Sequence, residues 1–95
     1  MLLITYDVST ETSAGRRRLR RVAKTCLNYG QRVQKSVFEC QVNAMEKDRL
    51  TDQLLQEIDE KEDSLRIYRI IEPLENNREE YGNIQATNFE DTLIV

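Results

Sequence analysis

An α+β fold is predicted by three observations. Short apolar runs rich in strand formers recur at Leu2–Val8, within Arg32–Val42 and at Leu65–Ile71. Between them, Leu19–Leu27 and Leu50–Ile58 carry apolar residues at helical spacing. Ninety-five residues, 39% of them apolar and 33% charged, make one soluble globular domain spanning residues 1–95. A core of this size is modest, so pairing with a second chain would add stability.

Strand one is Leu2-Leu3-Ile4-Thr5-Tyr6-Asp7-Val8, bounded by Ser9, Thr10 and Thr12. Its side chains alternate, so Leu2, Ile4, Tyr6 and Val8 share the more apolar side and Asp7 points the other way with Leu3 and Thr5. A lone carboxylate at a strand end serves either as a turn or helix cap or as a ligand. Residues 9–15 form a loop with Ser9, Thr10, Thr12 and Ser13 as candidate caps and Gly15 near the helix start.

Helix one runs over about 14–28. Leu19, Val22, Ala23, Cys26 and Leu27 make its buried stripe. Arg16, Arg20 and Lys24 lie at i, i+4, i+8 on the outer side, with Arg17 and Arg21 beside them. Arginines packed so closely repel one another unless an anion neutralises them. Gly30 is placed to end the helix as a C′ residue. In residues 32–42 the alternation slips at Lys35-Ser36-Val37, which a bulged strand or a very tight hairpin would explain. The preferred reading is a hairpin of strands 32–35 and 37–42.

Helix two covers 45–60, with Leu50, Leu54 and Ile58 as an i+4 ladder, Asn43 as its cap and Glu46 at capping-box spacing. Its acidic residues spread along the whole helix and read as a solvated face. Lys61-Glu62-Asp63 is a turn, and strand four follows from Leu65 to Ile71, ended by Pro73. A short extra strand is expected around Tyr81–Ile84. The apolar end Thr92-Leu93-Ile94-Val95 suggests an edge strand docking on another subunit. This element order is the split βαββαβ pattern of a ferredoxin-like sandwich with an extra C-terminal strand. One sheet face is then left bare, which calls for a partner.

Composition narrows the function. No apolar run approaches the ~20 residues of a membrane span, and the apolar start reads as strand rather than signal peptide, so the expectation is a cytoplasmic protein without a membrane partner. The chain has no histidine, which excludes Ser-His-Asp triads and His-ligated zinc. Its two cysteines, Cys26 and Cys40, are too few for a disulfide framework and read as reduced core thiols. The net charge of −3 hides a strong asymmetry. From Thr12 to Phe38 there are eight Lys or Arg and no acid, whereas from Glu39 onward fifteen acids face six bases. Such segregation points to a polyanionic partner. With Asp7 at a strand end, it suggests a site for a phosphodiester backbone, in which the carboxylate holds a divalent cation and the helix holds phosphates.

Tyr6-Asp7 at the end of strand one, the Arg-rich helix, the run Tyr29-Gly30-Gln31-Arg32-Val33-Gln34-Lys35-Ser36-Val37-Phe38-Glu39, Leu65-Arg66-Ile67-Tyr68-Arg69 and the Leu-Ile-Val tail together resemble the CRISPR-associated protein 2 family. The resemblance covers nearly the whole chain. It implies a ferredoxin-like homodimer with facing sheets, the C-terminal extension 78–95 packing on the partner subunit, and Asp7 of both copies flanking one Mg²⁺ or Mn²⁺. It implies a metal-dependent endonuclease acting on single-stranded RNA or double-stranded DNA, and a part in spacer acquisition beside the CRISPR adaptation integrase. By position, the matching site residues are Asp7 and Tyr6, then Ser36 and Phe38, with Arg32 as the basic residue after the glycine. Among the helix cations Arg18 and Arg21 match best, and Arg16, Arg17, Arg20 and Lys24 join them as groups that would hold nucleic acid. Two other readings stay open: a non-catalytic DNA-binding scaffold of the integration complex, and a toxin-like ribonuclease of similar fold.

Overall fold

The computed structural model describes residues 1–84. Strand β1 (Leu2–Asp7) is followed by helix α1 (Ser13–Leu27), strands β2 (Gln31–Gln34) and β3 (Val37–Cys40), helix α2 (Ala44–Glu57), strand β4 (Ser64–Arg69) and a 3₁₀ turn at Leu74–Asn76. The sheet is antiparallel throughout, in the order β2-β3-β1-β4. No helix among the described residues is long and apolar enough to cross a membrane.

Alternation along β1 decides which face of the sheet is covered. Leu2, Ile4 and Tyr6 are buried, while Asp7 is exposed. Across the ladders Ile4 stands opposite Phe38 and Ile67, and Leu2 opposite Cys40. These side chains meet Val22 and Cys26 of α1 and Leu50 and Leu54 of α2 in one core. Both helices therefore cover the even-numbered side of β1. The odd-numbered side carries Leu3, Thr5 and Asp7 with their cross-strand neighbours Val37, Glu39, Arg66 and Tyr68.

Local chemistry explains the boundaries. The Thr12 side chain accepts from the Gly15 amide and caps α1, so the helix begins within the stretch expected to be loop. Asn43 and Glu46 form the expected capping box on α2. Helix α2 stops at Glu57, short of the expected residue 60, and Ile58 becomes an extended cap residue that still packs on the core. The β2–β3 connection satisfies both readings of the register slip: a tight turn at Lys35-Ser36, and an irregularity in pairing between Arg32 and Gln34.

Further expectations change, among them Leu27, which is exposed at the end of α1 rather than part of its buried stripe. Gly30 does not end α1 in a left-handed conformation, since Gly82 is the one residue with positive φ among those described. A side chain at Gly30 would instead collide with the Glu39 carbonyl and with Cys40. Strand β4 ends at Arg69, leaving Ile71 75% exposed rather than alternating into the sheet. Tyr81–Ile84 forms no strand; it turns at Gly82, with Tyr81 and Ile84 both exposed. The apolar end Thr92–Val95 lies outside the described residues.

Candidate nucleic-acid interface

Asp7 closes β1 on the face that the helices leave uncovered. Its Cα partner is Ser64, the first residue of β4. Among the described residues its carboxylate makes no hydrogen bond or ion pair, and it is exposed. An oxygen donor presented to solvent in this way suits a hard divalent cation such as Mg²⁺ or Mn²⁺. One chain does not complete such a site: among the described residues no three His, Cys, Asp or Glu side chains gather where they could hold a metal. Asp7 thus fits as one member of a ligand set that the described residues do not complete.

Tyr6, Ser36, Phe38 and Arg32 lie together on the opposite side of β1. Tyr6 stacks on Phe38 with ring centroids 6.1 Å apart, and the Arg32 guanidinium lies 5.1 Å from the Phe38 centroid. The Tyr6 amide donates to the Ser36 carbonyl at 3.2 Å, tying the β2–β3 turn to β1. The Tyr6 hydroxyl is shut off from solvent and, among the described residues, has no hydrogen bond of good geometry. Burial raises its pKa above the ordinary 10.0, while Arg32 and Ser36, close enough to favour the ionised form, oppose that shift. The phenol stays protonated. Tyr6 and Phe38 are therefore core, Arg32 and Ser36 lie half-buried beside them, and Tyr6 points to the opposite side of β1 from the carboxylate.

The basic row of α1 divides in two. Arg16, Arg17, Arg20, Arg21 and Lys24 are not buried and line the outer side of the helix. Arg16 donates to the Thr10 carbonyl at 3.1 Å, and Arg21 reaches Glu57 at 4.0 Å, the limit of an ion pair. Arg17, Arg20 and Lys24 have no ion pair among the described residues. Arg18 differs. Its side chain is only 16% exposed, and Nε donates to Asp63 Oδ2 at 2.8 Å while Nη2 reaches Glu62 at 3.2 Å. One of the two arginines that match best by motif is thus engaged within the chain.

Sequence reasoning missed Asp63. Its carboxylate is fully buried and also accepts from the Ser9 amide at 3.1 Å and the Asp59 amide at 2.9 Å. Burial pushes this carboxyl up, but the Arg18 guanidinium and the two amides outweigh it and hold its pKa below the ordinary 3.8. A short turn of three charged residues gave no signal of this, because two of the three donors are 45 and 54 residues away. Cys26 and Cys40 are free, buried thiols. Burial, with the neighbouring Cys40 and Glu39 respectively adding to it, pushes them up to about 12 and about 11. They have no nucleophilic role at neutral pH.

Comparison with known proteins gives this arrangement a context. The family model described as CRISPR associated protein Cas2 matches residues 1–78. The chain is 56% identical over 94 residues to CRISPR-associated endoribonuclease Cas2 1 of Moorella thermoacetica, covering 99% of this chain and 98% of that one. It is 49% identical over 94 residues to CRISPR-associated endonuclease Cas2 of Halalkalibacterium halodurans, with the same coverage. The crystal structure of Streptococcus pyogenes Cas2 superposes with a TM-score of 0.77 at 53% identity, covering 85% of this chain and 98% of that one.

Proposed function

Since this chain belongs to the CRISPR-associated Cas2 family, we propose that it is a metal-dependent endonuclease hydrolysing phosphodiester bonds in RNA or double-stranded DNA, with a part in spacer acquisition beside the CRISPR adaptation integrase. The observation that carries this reading is Asp7: an exposed carboxylate at a strand end, unpaired among the described residues, one short loop from a helix bearing an outward-facing basic row. The names of its relatives, endoribonuclease and endonuclease, support the same reaction class.

The strand order β2-β3-β1-β4 with both helices on one side is read as a ferredoxin-like sandwich. The face that the helices leave open is where a second copy docks, beside Arg78, whose Nη1 donates to Glu39 Oε1 of its own chain at 3.2 Å. Asp7 from each copy would then hold one Mg²⁺ or Mn²⁺. When bound, the cation supplies Lewis-acid polarisation of a phosphoryl oxygen and a more acidic water. The chain's own residues do the rest. Arg16, Arg17, Arg20, Arg21 and Lys24 hold the backbone by its phosphates, without reading bases. Tyr6, Phe38, Ser36 and Arg32 fix β1 from beneath, which sets where Asp7 stands.

A non-catalytic DNA-binding scaffold is the second reading. It is favoured by the thin ligand set, one carboxylate per chain with no cluster of three among the described residues. Incubation of RNA and duplex DNA with the protein, with and without Mg²⁺ or Mn²⁺ and beside an Asp7→Ala control, separates the two. The nuclease reading expects cleavage only with metal and only by the wild type. Binding with no cleavage in any condition would leave the scaffold.

A further inference from the structure

We propose that Asp63 is the positioning residue for Asp7; this rests on the reading of Asp7 as a metal ligand. Asp7 has no side-chain partner of its own among the described residues, so its place is set by the backbone on either side. Two residues beyond it, the Ser9 amide donates to Asp63 Oδ1 at 3.1 Å. Across the ladder its partner is Ser64, the residue next to Asp63. One buried carboxylate thereby ties down the chain leaving β1 and the chain entering β4, the two backbone segments that flank Asp7.

The clamp is braced from behind. Arg18 of α1 binds both Asp63 oxygens, at 2.8 and 3.3 Å, and the Asp59 amide binds Oδ2 at 2.9 Å. The Ser9 carbonyl packs against Gly15 so closely that a β-carbon there would collide with it. Ser9 is therefore fixed through its amide by Asp63 and through its carbonyl by the first turn of α1. This arrangement is an outer layer of support behind a ligand, of the kind that sets metal affinity without touching the ion.

Asp63→Asn keeps the size of the side chain but removes its charge and one acceptor, with Arg18 and both amides still facing it. Mn²⁺ binding by calorimetry, amide exchange at Ser9, and kcat with KM for duplex DNA are measured well below the melting temperature. Positioning expects Mn²⁺ affinity to fall about tenfold or more, Ser9 exchange to rise while Ile4 and Phe38 stay protected, and kcat to fall with KM unchanged. A folded Asp63→Asn protein with wild-type Mn²⁺ affinity and kcat, and only a lower melting temperature, would overturn the inference. If Asp63→Asn does not fold, Arg18→Gln decides, because it removes one brace and leaves both amide bonds. A loss of about threefold or more in Mn²⁺ affinity upholds the inference, and wild-type affinity overturns it. Asp7→Asn is titrated alongside. If it binds Mn²⁺ as the wild type does, the metal reading of Asp7 has failed and the inference falls with it; if it does not bind while Asp63→Asn binds normally, the inference alone fails.

Discussion

Asp7 and Asp63 stand next to the same β1–β4 rung, and their surroundings give them opposite work. Asp7 is exposed and unpaired among the described residues, whereas the Asp63 side chain is wholly buried under Arg18 and two backbone amides. Because the Asp63 carboxyl is held below its ordinary 3.8, its contribution to stability is present above that value and is lost as the pH falls through the folded-state pKa. Acid melting should therefore show a fall in wild-type stability below about pH 4 that is much flatter in Asp63→Asn. A wild-type acid limb in the variant would contradict this. Tyr6→Phe is expected to be quiet, because among the described residues the hydroxyl has no hydrogen bond of good geometry to lose. Thermal melting should place it within about 1 kcal/mol of wild type, with cleavage retained. Asp7 was legible in the sequence because alternation and a strand end single it out. Asp63 was not, since no local pattern shows that a residue in a charged turn will accept hydrogen bonds from distant segments.

Helix α1 was legible almost whole, because its apolar stripe and basic row follow one period and need no partner to be seen. What the period could not show was that Arg18, between those two faces, turns toward Asp63. This gives α1 a graded test. Changing Arg17, Arg20 and Lys24 together to Gln should flatten the log–log salt dependence of duplex binding by about 0.9 for each phosphate no longer neutralised, for all sequences alike. Arg18→Gln should lower the melting temperature and leave that slope unchanged. Filter binding across a salt series checks both, and an unaltered slope in the triple variant would show the row to be a solvated face. Gly30 teaches a related point about the helix end. A glycine after a helix suggests a left-handed cap, but here it is needed because the β3 backbone at Glu39 and Cys40 passes too close for a β-carbon. Gly30→Ala should destabilise by about 1–3 kcal/mol, read by denaturant melting.

At the scale of the molecule, the sheet has one face sealed by helices and another carrying Leu3, Thr5, Val37 and Tyr68 with Asp7 at its end. Element order alone foretells this asymmetry, but not which side chains stand beside Asp7, because that depends on the β1–β4 register. A second copy on this face would bring a second carboxylate to the same neighbourhood. Sedimentation equilibrium at micromolar concentration is expected to give twice the 11.2 kDa chain mass, and a clean monomer would remove the shared cation site. The central claim, that Asp7 works as a metal ligand in phosphodiester cleavage, is tested most directly by one paired measurement: melting temperature and Mg²⁺-dependent cleavage of RNA and duplex DNA by Asp7→Asn beside the wild type. The expected result is a variant that melts at or above the wild-type temperature, relieved of carboxylate repulsion in the metal-free dimer, and cleaves neither substrate. Cleavage at the wild-type rate by Asp7→Asn would contradict it.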